Sequence, residues 1–325
     1  MVSEYWYGLA TIIRQSPNIQ HVCVVSVESG DLSLWNYLIP PDEPTHKDKK
    51  IAGHGFPRLH TLVLQIHMKE DYGSAPSGAS FSRMCCSLGS VPGLARLHAS
   101  GVVSSPPPVL IHGDFKSLRH IEITECTTVL DQVDQLLEAC NDLEHFACQW
   151  AFLDCSIDCP MDVLPGLLKH KETLVTLHLD LREVRFFSDL HHEIRFSSLP
   201  RLTAIREAKL DYTCLLDDYI VYSNSAVPSK GLHRTAPILP ASLEHLTMLL
   251  TFRWPHDDSE YVDHLLVLYQ LVKDVADLLP RLREVVVQYK NGKDDEVASS
   301  ASAWAERFNG LGIRFSLVKE ADSLT

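Results

Sequence analysis

One short pattern of apolar and polar positions recurs along the chain. It consists of an apolar residue, two variable positions, an apolar residue, one variable position and a third apolar residue. Alternate residues of a β-strand point to opposite faces, so the second and third apolar positions enter a core while the residue between them faces outward. We call these apolar positions the first, second and third anchors. The pattern therefore predicts a series of short strands, each buried on one side.

Nine copies of the pattern are found. Their first anchors are Ile19, Leu59, Leu94, Leu118, Leu143, Leu174, Leu202, Leu243 and Leu282. The spacing averages about 33 residues and varies from about 24 to about 41 residues. The copy at Leu202 keeps a second anchor, Ile205, but has Glu207 in place of the third. Because a single repeat cannot bury its own apolar side and stacked repeats can, residues 1–325 are predicted to form one solenoid of about nine irregular repeats.

The residues between the predicted strands carry apolar side chains at helical spacing, as expected for the crossovers that parallel strands require. Helices are predicted over Trp6–Gln15, Phe81–Leu88, Val129–Cys140, Val163–Lys169 and Val262–Leu279. The predicted fold is therefore an α/β solenoid, with a parallel sheet on a concave side and irregular helices on a convex side.

Other segments interrupt or end the repeats. Residues 29–55, 101–113 and 212–240 are rich in Pro, Gly, Ser and charge and are predicted to be loops or insertions. The last of them contains an apolar stretch, Leu215–Tyr222, which we expect to fold onto the surface. A helix and a strand that depart from the pattern predict a C-terminal cap over 294–325.

The repeated phrase, as in Leu59–Leu64, Leu118–Ile123 and Leu174–Leu179, resembles that of leucine-rich-repeat proteins. The uneven repeat length and the lead-ins Pro57-Arg58-Leu59 and Pro280-Arg281-Leu282 are similar to the repeat regions of filamentous-fungal F-box proteins. The resemblance implies a horseshoe fold and a substrate-receptor role in ubiquitin ligation. In that role an N-terminal F-box docks on a Skp-type adaptor.

This sequence departs from the F-box pattern. The Leu-Pro-x-Glu-Leu or Leu-Pro-x-Glu-Ile opening of an F-box is not found in it, and Leu164-Pro165-Gly166-Leu167 lacks the acidic residue. We therefore expect a Skp-type adaptor to be a partner only if an F-box is present outside this chain. The alternative is a free-standing scaffold or regulator built from the same repeats.

Composition and charge narrow the class of partner. Apolar residues make up 45% of the chain and charged residues 22%, as in ordinary globular proteins. The formal charge of −13 opposes nucleic-acid binding, and the short basic run Lys47–Lys50 lies among loop residues.

Three features of the sequence bear on the location of the protein. The N-terminus lacks the features of a secretory signal, and nine cysteines favour a reducing compartment. The strongest apolar stretch, Leu265–Val272, is too short to cross a membrane. We expect an intracellular protein of the cytoplasm or nucleus.

Candidate chemical motifs are weak. Cys155-x-x-x-Cys159 with His191 and His192 is the best zinc candidate, but its spacing differs from that of a zinc knuckle. Gly53-His54-Gly55 and His112-Gly113-Asp114 match no phosphate-binding or catalytic motif, and glycine is expected where the chain turns into a strand. We therefore predict no metal, no cofactor and no catalytic residues, with an enzyme of unrecognised site as the disfavoured alternative.

Residues beside the second anchors alternate away from the core, and they are the candidate partner-binding residues on the concave face. They are His21, Thr61, Val63, Arg96, His98, His120, Glu122, His145, Thr176, His178, His245 and Glu284. His120 and His145 share one phase of consecutive repeats, so their imidazoles are expected to be near neighbours, with Glu122 available to offset their repulsion. The six histidines predict a surface whose charge changes between pH 5 and 7.

Overall fold

The computed structural model describes residues 8–9, 11–13, 15–26, 56–66, 79–89, 91–104, 110–111, 114–216, 219–222, 225–228, 235–251, 259–290 and 294–320. The predicted insertion at 29–55, with Gly53-His54-Gly55, lies outside these residues, as do His112 and Gly113. Within the predicted helix at Trp6–Gln15, residues 8–9 and 11–13 are described and are helical. The chain divides into two compact units, Met1–Leu153 and Asp154–Thr325. We refer to them as the N-terminal and C-terminal units.

The N-terminal unit is built on a sheet of five parallel strands. Its strands are β1 (His21–Ser26), β2 (Thr61–Ile66), β3 (Ala79–Ser80), β4 (Arg96–Ser100), β5 (Val102–Val103), β6 (His120–Cys126) and β7 (His145–Trp150). The sheet has the order β1-β2-β4-β6-β7, while β3 and β5 form a small separate pair. Leu62 pairs in parallel with Leu97, which pairs in parallel with Ile121, so the predicted direction of the strands is confirmed.

Burial in the N-terminal unit follows the predicted alternation. The second anchors Leu62, Leu97, Ile121 and Phe146 are fully buried. Each strand is entered through a shared carbonyl: the oxygen of His60 accepts hydrogen bonds from the two consecutive backbone N–H groups at positions 95 and 96. The same arrangement recurs from β1 to β7, which fixes the register of the repeats.

Two helices of this unit lie where the apolar spacing predicted them. They are α1 (Phe81–Leu88) and α2 (Leu130–Ala139). At the start of the segment predicted as an insertion, Gly101 has a φ of +72°, and a Cβ there would lie 1.9 Å from the backbone oxygen of Ile66. Only glycine fits this close approach between two repeats.

The C-terminal unit contains a second run of five parallel strands. The strands from β8 onward are β8 (Leu153–Ser156), β9 (Met161–Asp162), β10 (Thr176–Asp180), β11 (Val184–Phe187), β12 (His192–Arg195), β13 (Glu207–Asp211), β14 (Tyr219–Tyr222), β15 (Ser225–Pro228), β16 (His245–Thr251), β17 (Glu284–Lys290) and β18 (Arg314–Lys319). The parallel run has the order β10-β13-β16-β17-β18. Its helices are α3 (Ser259–Leu278) and α4 (Asp294–Asn309). No helix among the described residues is long and apolar enough to cross a membrane.

The repeat assigned to Leu202 is three residues out of register. Thr176 pairs with Glu207 and Leu177 with Ala208, so the second anchor of this repeat is Ala208 and its first anchor is Ile205. Ala208 is 2% exposed and Leu210, the third anchor, is fully buried. The assignment from sequence was wrong because alanine is a weak apolar signal and Leu202 offered a stronger one, although Leu202 is itself buried outside the strand.

The crossovers of the C-terminal unit differ from the predicted helices. Strands β9, β12, β14 and β15 form a four-stranded sheet, in which β14 is antiparallel to both β12 and β15. The apolar stretch at Leu215–Tyr222 thus supplies a strand of this sheet. The predicted helix at Val163–Lys169 is a 3₁₀ helix, Pro165–His170. Proline at its first position suits the start of a helix but the segment is too short for more than a few tight turns.

A buried ionic cluster lies at the carboxyl ends of the parallel strands in this unit. Arg182 donates two hydrogen bonds to Asp180, at 2.7 and 2.8 Å, and two to Glu320, at 2.6 and 3.0 Å. Asp211 is also buried, and its Oδ1 accepts a hydrogen bond from the backbone N–H of Thr213 at 2.9 Å. Burial alone would raise the pKa of Asp180, but its hydrogen bonds with Arg182 outweigh that effect and lower it.

Candidate functional site

The exposed face of the N-terminal sheet carries side chains in straight rows, because the parallel strands pair in register. The first row contains the residues just before the second anchors: His21, Thr61, Arg96, His120 and His145. His21 and Arg96 are exposed, and the other three are half-buried. The sequence placed all five on one face, and the structure brings them together as consecutive neighbours.

The second row contains the residues just after the second anchors. Val63, His98 and Glu122 are neighbours in it, flanked by Cys23 and Ala147. His98 Nδ1 lies 2.9 Å from Glu122 Oε2. A carboxylate only accepts hydrogen bonds, so the Nδ1–H group of His98 donates a hydrogen bond to Glu122. Glu122 therefore has a partner within its own row.

His120 and His145 form a stacked pair in the first row. Their ring centroids are 4.0 Å apart and the ring planes differ by 6°, which confirms that the two imidazoles are near neighbours. Burial and the neighbouring His120 lower the pKa of His145 to about 4, and Glu122 opposes the shift only in part. Burial likewise lowers the pKa of His120. The predicted change of charge between pH 5 and 7 is therefore wrong for His145, which stays neutral over that range.

The exposed face of the C-terminal sheet has two corresponding rows. The first row is Thr176, Glu207, His245, Glu284 and Arg314, and the second is His178, Lys209, Thr247, Val286 and Ser316. Four predicted site residues, Thr176, His178, His245 and Glu284, fall in these rows. The two faces therefore present the same arrangement of outward positions, each within its own unit.

Glu284 lies between His245 and Arg314 in the first row of the C-terminal face. His245 Nδ1 is 3.1 Å from Glu284 Oε2, and Arg314 Nη2 is 3.4 Å from Glu284 Oε1. All three side chains remain partly exposed, so this is a solvent-facing network worth little to stability. It joins side chains of three neighbouring strands, β16, β17 and β18, on the exposed face.

Comparison with protein families identifies these repeats. A family model described as a leucine-rich repeat domain matches residues 84–316, which is more than half of the chain. The chain belongs to the leucine-rich-repeat family. The predicted α/β solenoid fold is thereby confirmed. Comparison with curated proteins and with solved structures gave no match.

Membership of the leucine-rich-repeat family also assigns the coarse function. Repeat solenoids of this kind present extended surfaces to protein partners, and this leucine-rich-repeat protein is accordingly a protein–protein interaction module. Among the described residues, no group of three or more His, Cys, Asp or Glu side chains is placed to hold a metal ion. Cys155, Cys159, His191 and His192 are all within that described part.

The sequence missed three charged residues on the C-terminal face of the leucine-rich-repeat protein: Glu207, Lys209 and Arg314. The first two were lost with the register error, since Glu207 was taken for a failed third anchor. Arg314 was set aside with the predicted cap, whereas β18 continues the sheet in parallel with β17. The alternation of Ala208 and Leu210 with polar residues was the signal that would have found the first pair.

Proposed function

We propose that this leucine-rich-repeat protein recognises a partner protein through the exposed faces of its parallel strands, and that it acts by binding and not by catalysis. The observation that supports the proposal is the set of in-register rows of half-exposed polar side chains. Consecutive residues of a row are spaced for contact with an extended surface, because adjacent strands lie about 4.8 Å apart. All twelve residues predicted from the sequence as partner-binding lie in these rows.

A more specific role is the substrate-recognition part of an F-box-type ubiquitin ligase. Its support is the likeness of the uneven repeats and of lead-ins such as Pro280-Arg281-Leu282 to the repeat regions of fungal F-box proteins. In this role the repeats bind the substrate and an F-box binds the Skp-type adaptor. A free-standing scaffold would use the same faces and would need no adaptor.

The binding role is tested by identifying partners through proximity labelling and then measuring their affinity for variants of the faces. We expect His120→Gln with His145→Gln to weaken binding of a partner that contacts the N-terminal face. His191→Gln is the matched control, because His191 is an exposed histidine outside the parallel strands. Partners that bind the double variant and the control as well as the unchanged protein would place the binding site outside these rows.

The F-box-type role is tested by capture of a purified Skp-type adaptor at micromolar concentration. We expect these 325 residues alone not to capture it, because no stretch of the sequence matches the opening of an F-box. Stoichiometric capture would show that a divergent docking element is present within the chain. A substrate that is bound by the repeats and ubiquitinated only when an F-box is supplied would support the role.

A further inference from the structure

The first strands of the N-terminal unit differ sharply in charge from the rest of the protein. The chain has 42 acidic and 29 basic residues. Residues 1–113 carry eight acidic and eight basic residues and are neutral overall, so the whole formal charge of −13 belongs to residues 114–325. The described part of this neutral region includes Arg58 and Arg96, together with His21, His60 and His98. The first strands therefore lie in the least acidic part of the chain.

A groove opens at the end of the sheet where the chain enters these strands. It has a volume of about 600 Å³ and is lined by Gln20, His21, Pro57, Arg58, His60 and Gly93. The backbone around it is held in place, because the Gln20 carbonyl accepts hydrogen bonds from the N–H groups of residues 60 and 61. The side chains of Gln20, His21, Arg58 and His60 are all exposed, so the groove presents hydrogen-bond donors to solvent.

Some arginines of the chain are held in internal ion pairs, whereas others are exposed and have no such pair among the described residues. Arg119 lies 2.9 Å from Asp142 and 3.9 Å from Glu144, both in its own unit. Within the described part of the chain, by contrast, neither Arg58 nor Arg96 has an ion-pair partner, and both are exposed. Their positive charge is available to a ligand at no cost of breaking an internal pair.

We propose that this groove docks an acidic segment of a partner protein, whose side-chain carboxylates pair with the guanidinium groups of Arg58 and Arg96. The inference rests on the protein-binding function proposed above and names the chemistry of the partner. Guanidinium groups bind carboxylates through two parallel hydrogen bonds, which gives both strength and orientation. His21, in the first row of the exposed face, connects the groove to that face.

The register of the sheet supports the role of Arg96. Thr61 is its neighbour in the first row, on β2. In the C-terminal unit the equivalent neighbours are Glu284 and Arg314, which form an ion pair at 3.4 Å. The N-terminal unit thus has threonine where the C-terminal unit has the neutralising acid. A carboxylate brought by a partner would fill the place that Glu284 fills beside Arg314.

A peptide fits the groove better than a nucleic acid does. The phosphate backbone of an oligonucleotide is charged along its whole length, and it would be repelled by residues 114–153 of the same unit, which carry eight acidic and two basic residues. A short acidic segment places its charge only at the groove. Its binding is expected to weaken with added salt, because exposed charges are screened over about 10 Å at 0.1 M ionic strength.

The test is a fluorescence anisotropy titration with a labelled peptide of about ten residues that alternates Asp and Ser, compared with one that alternates Asn and Ser. We expect only the Asp peptide to bind, and Arg58→Gln with Arg96→Gln to weaken it about tenfold or more. The matched control is Arg281→Gln with Arg314→Gln, which removes the same charge from lead-in and first-row positions of the C-terminal unit. That control is expected to bind within about twofold of the unchanged protein.

A second variant tests the register argument without removing either arginine. Thr61→Glu supplies an acid beside Arg96, as Glu284 does beside Arg314, and is expected to weaken the Asp peptide about as much as the arginine double variant does. Thr61→Gln, of the same size but uncharged, is expected to bind the Asp peptide normally. Circular dichroism melts of all variants would establish that the substitutions leave the fold intact.

Several results would overturn the proposal. Two concern the peptides: no binding of the Asp peptide, or equal binding of the Asp and Asn peptides. A third is an equal loss of affinity in the two arginine double variants. The fourth is tighter binding of a single-stranded oligonucleotide with the same dependence on Arg58 and Arg96. The last result would identify phosphate as the occupant. If the peptide fails but captured partners still depend on His120 and His145, this inference alone is wrong. If the peptide binds as expected but no partner depends on the exposed faces, the proposed function is wrong.

Discussion

Asp211→Asn is expected to stabilise the C-terminal unit at neutral pH. Asp211 is 4% exposed and lies near Asp180 and Arg182 in the ionic cluster. Burial raises the pKa of Asp211 to about 6, and the negative charge of Asp180 adds to the shift, while hydrogen bonds from Thr213 and the charge of Arg182 oppose it. The protein therefore holds an ionised carboxylate at pH 7.5 in a place that favours the neutral acid.

The size and direction of the effect follow from linkage. The pKa of Asp211 rises from the ordinary 3.8 to about 6 on folding, and two pKa units correspond to roughly 3 kcal/mol. Because the folded pKa is raised, the contribution of Asp211 to stability is fully present below the unfolded pKa and is lost as pH rises through the folded pKa. The loss develops between about pH 4 and about pH 6 and is complete at pH 7.5.

Asparagine keeps the contacts that matter and removes the charge. Both hydrogen bonds from Thr213 go to Oδ1 of Asp211, which an asparagine oxygen can replace. The amide nitrogen takes the place of the second oxygen, beside a cluster in which two carboxylates, Asp180 and Glu320, outnumber one guanidinium, Arg182. We therefore expect a gain of about 1–3 kcal/mol at pH 7.5, since part of the 3 kcal/mol is spent in relaxation.

Urea melts of the unchanged protein and Asp211→Asn at about pH 5 and about pH 7.5 measure this gain. The difference in unfolding free energy should be large at the higher pH and small at the lower. Asp180→Asn is the contrasting control, because it leaves Arg182 with one carboxylate and should destabilise at pH 7.5. An Asp211→Asn variant that is less stable than the unchanged protein by the same amount at both pH values would refute the reasoning.

Three further predictions concern the core, the ionic cluster and the stacked histidines. Leu177→Ala should lower the free energy of unfolding by about 2–5 kcal/mol, because Leu177 is fully buried and its removal leaves a cavity. Thr176→Ala should lower it by well under 1 kcal/mol. Equal losses in denaturant melts would show that the predicted alternation of the strand is wrong. Arg182→Leu should lower the free energy of unfolding by about 3–5 kcal/mol at pH 7.5, because the buried Asp180 carboxylate would lose its charged partner. An unchanged free energy of unfolding in urea melts would contradict this. The unchanged protein should lose stability as pH falls from 6.5 toward 4, because the lowered pKa of His145 lets only the unfolded chain bind a proton at this residue. His145→Gln should lose less stability over the same range. Melts of both proteins at both pH values measure the difference.

The strands of the parallel sheets were predictable because their signal is local. A strand with Leu62 and Leu64 buried and Thr61 and Val63 outward repeats every two residues, and that period appears in the sequence itself. Register between repeats was predictable for the same reason, since every copy enters its strand in the same way. The failure at Leu202 came where one anchor is alanine, whose small apolar area carries little information.

The crossovers of the C-terminal unit could not be predicted because their pairing is non-local. Strand β12 (His192–Arg195) and strand β14 (Tyr219–Tyr222) are four residues each, and they pair although all of β13 lies between them in the sequence. Short strands of this kind show no sustained period. Arg182 and Glu320 are 138 positions apart in the chain, and nothing near either residue indicates its partner. The ionic cluster is therefore a product of the fold and was not visible in the sequence.

The exposed faces owe their electrostatic character to pairing across strands more than to composition. Six of the twelve predicted site residues are histidines, which suggested a pH-dependent surface. His98 and His245 each donate to a glutamate of the next strand, and His145 is held neutral in a stack with His120. Near neutral pH His145 therefore offers a neutral hydrogen-bonding edge, and Arg96 supplies the fixed positive charge in the described rows of the N-terminal face. Because Arg96 has no acid beside it on β2, we propose that an acidic partner binds at this end of the face.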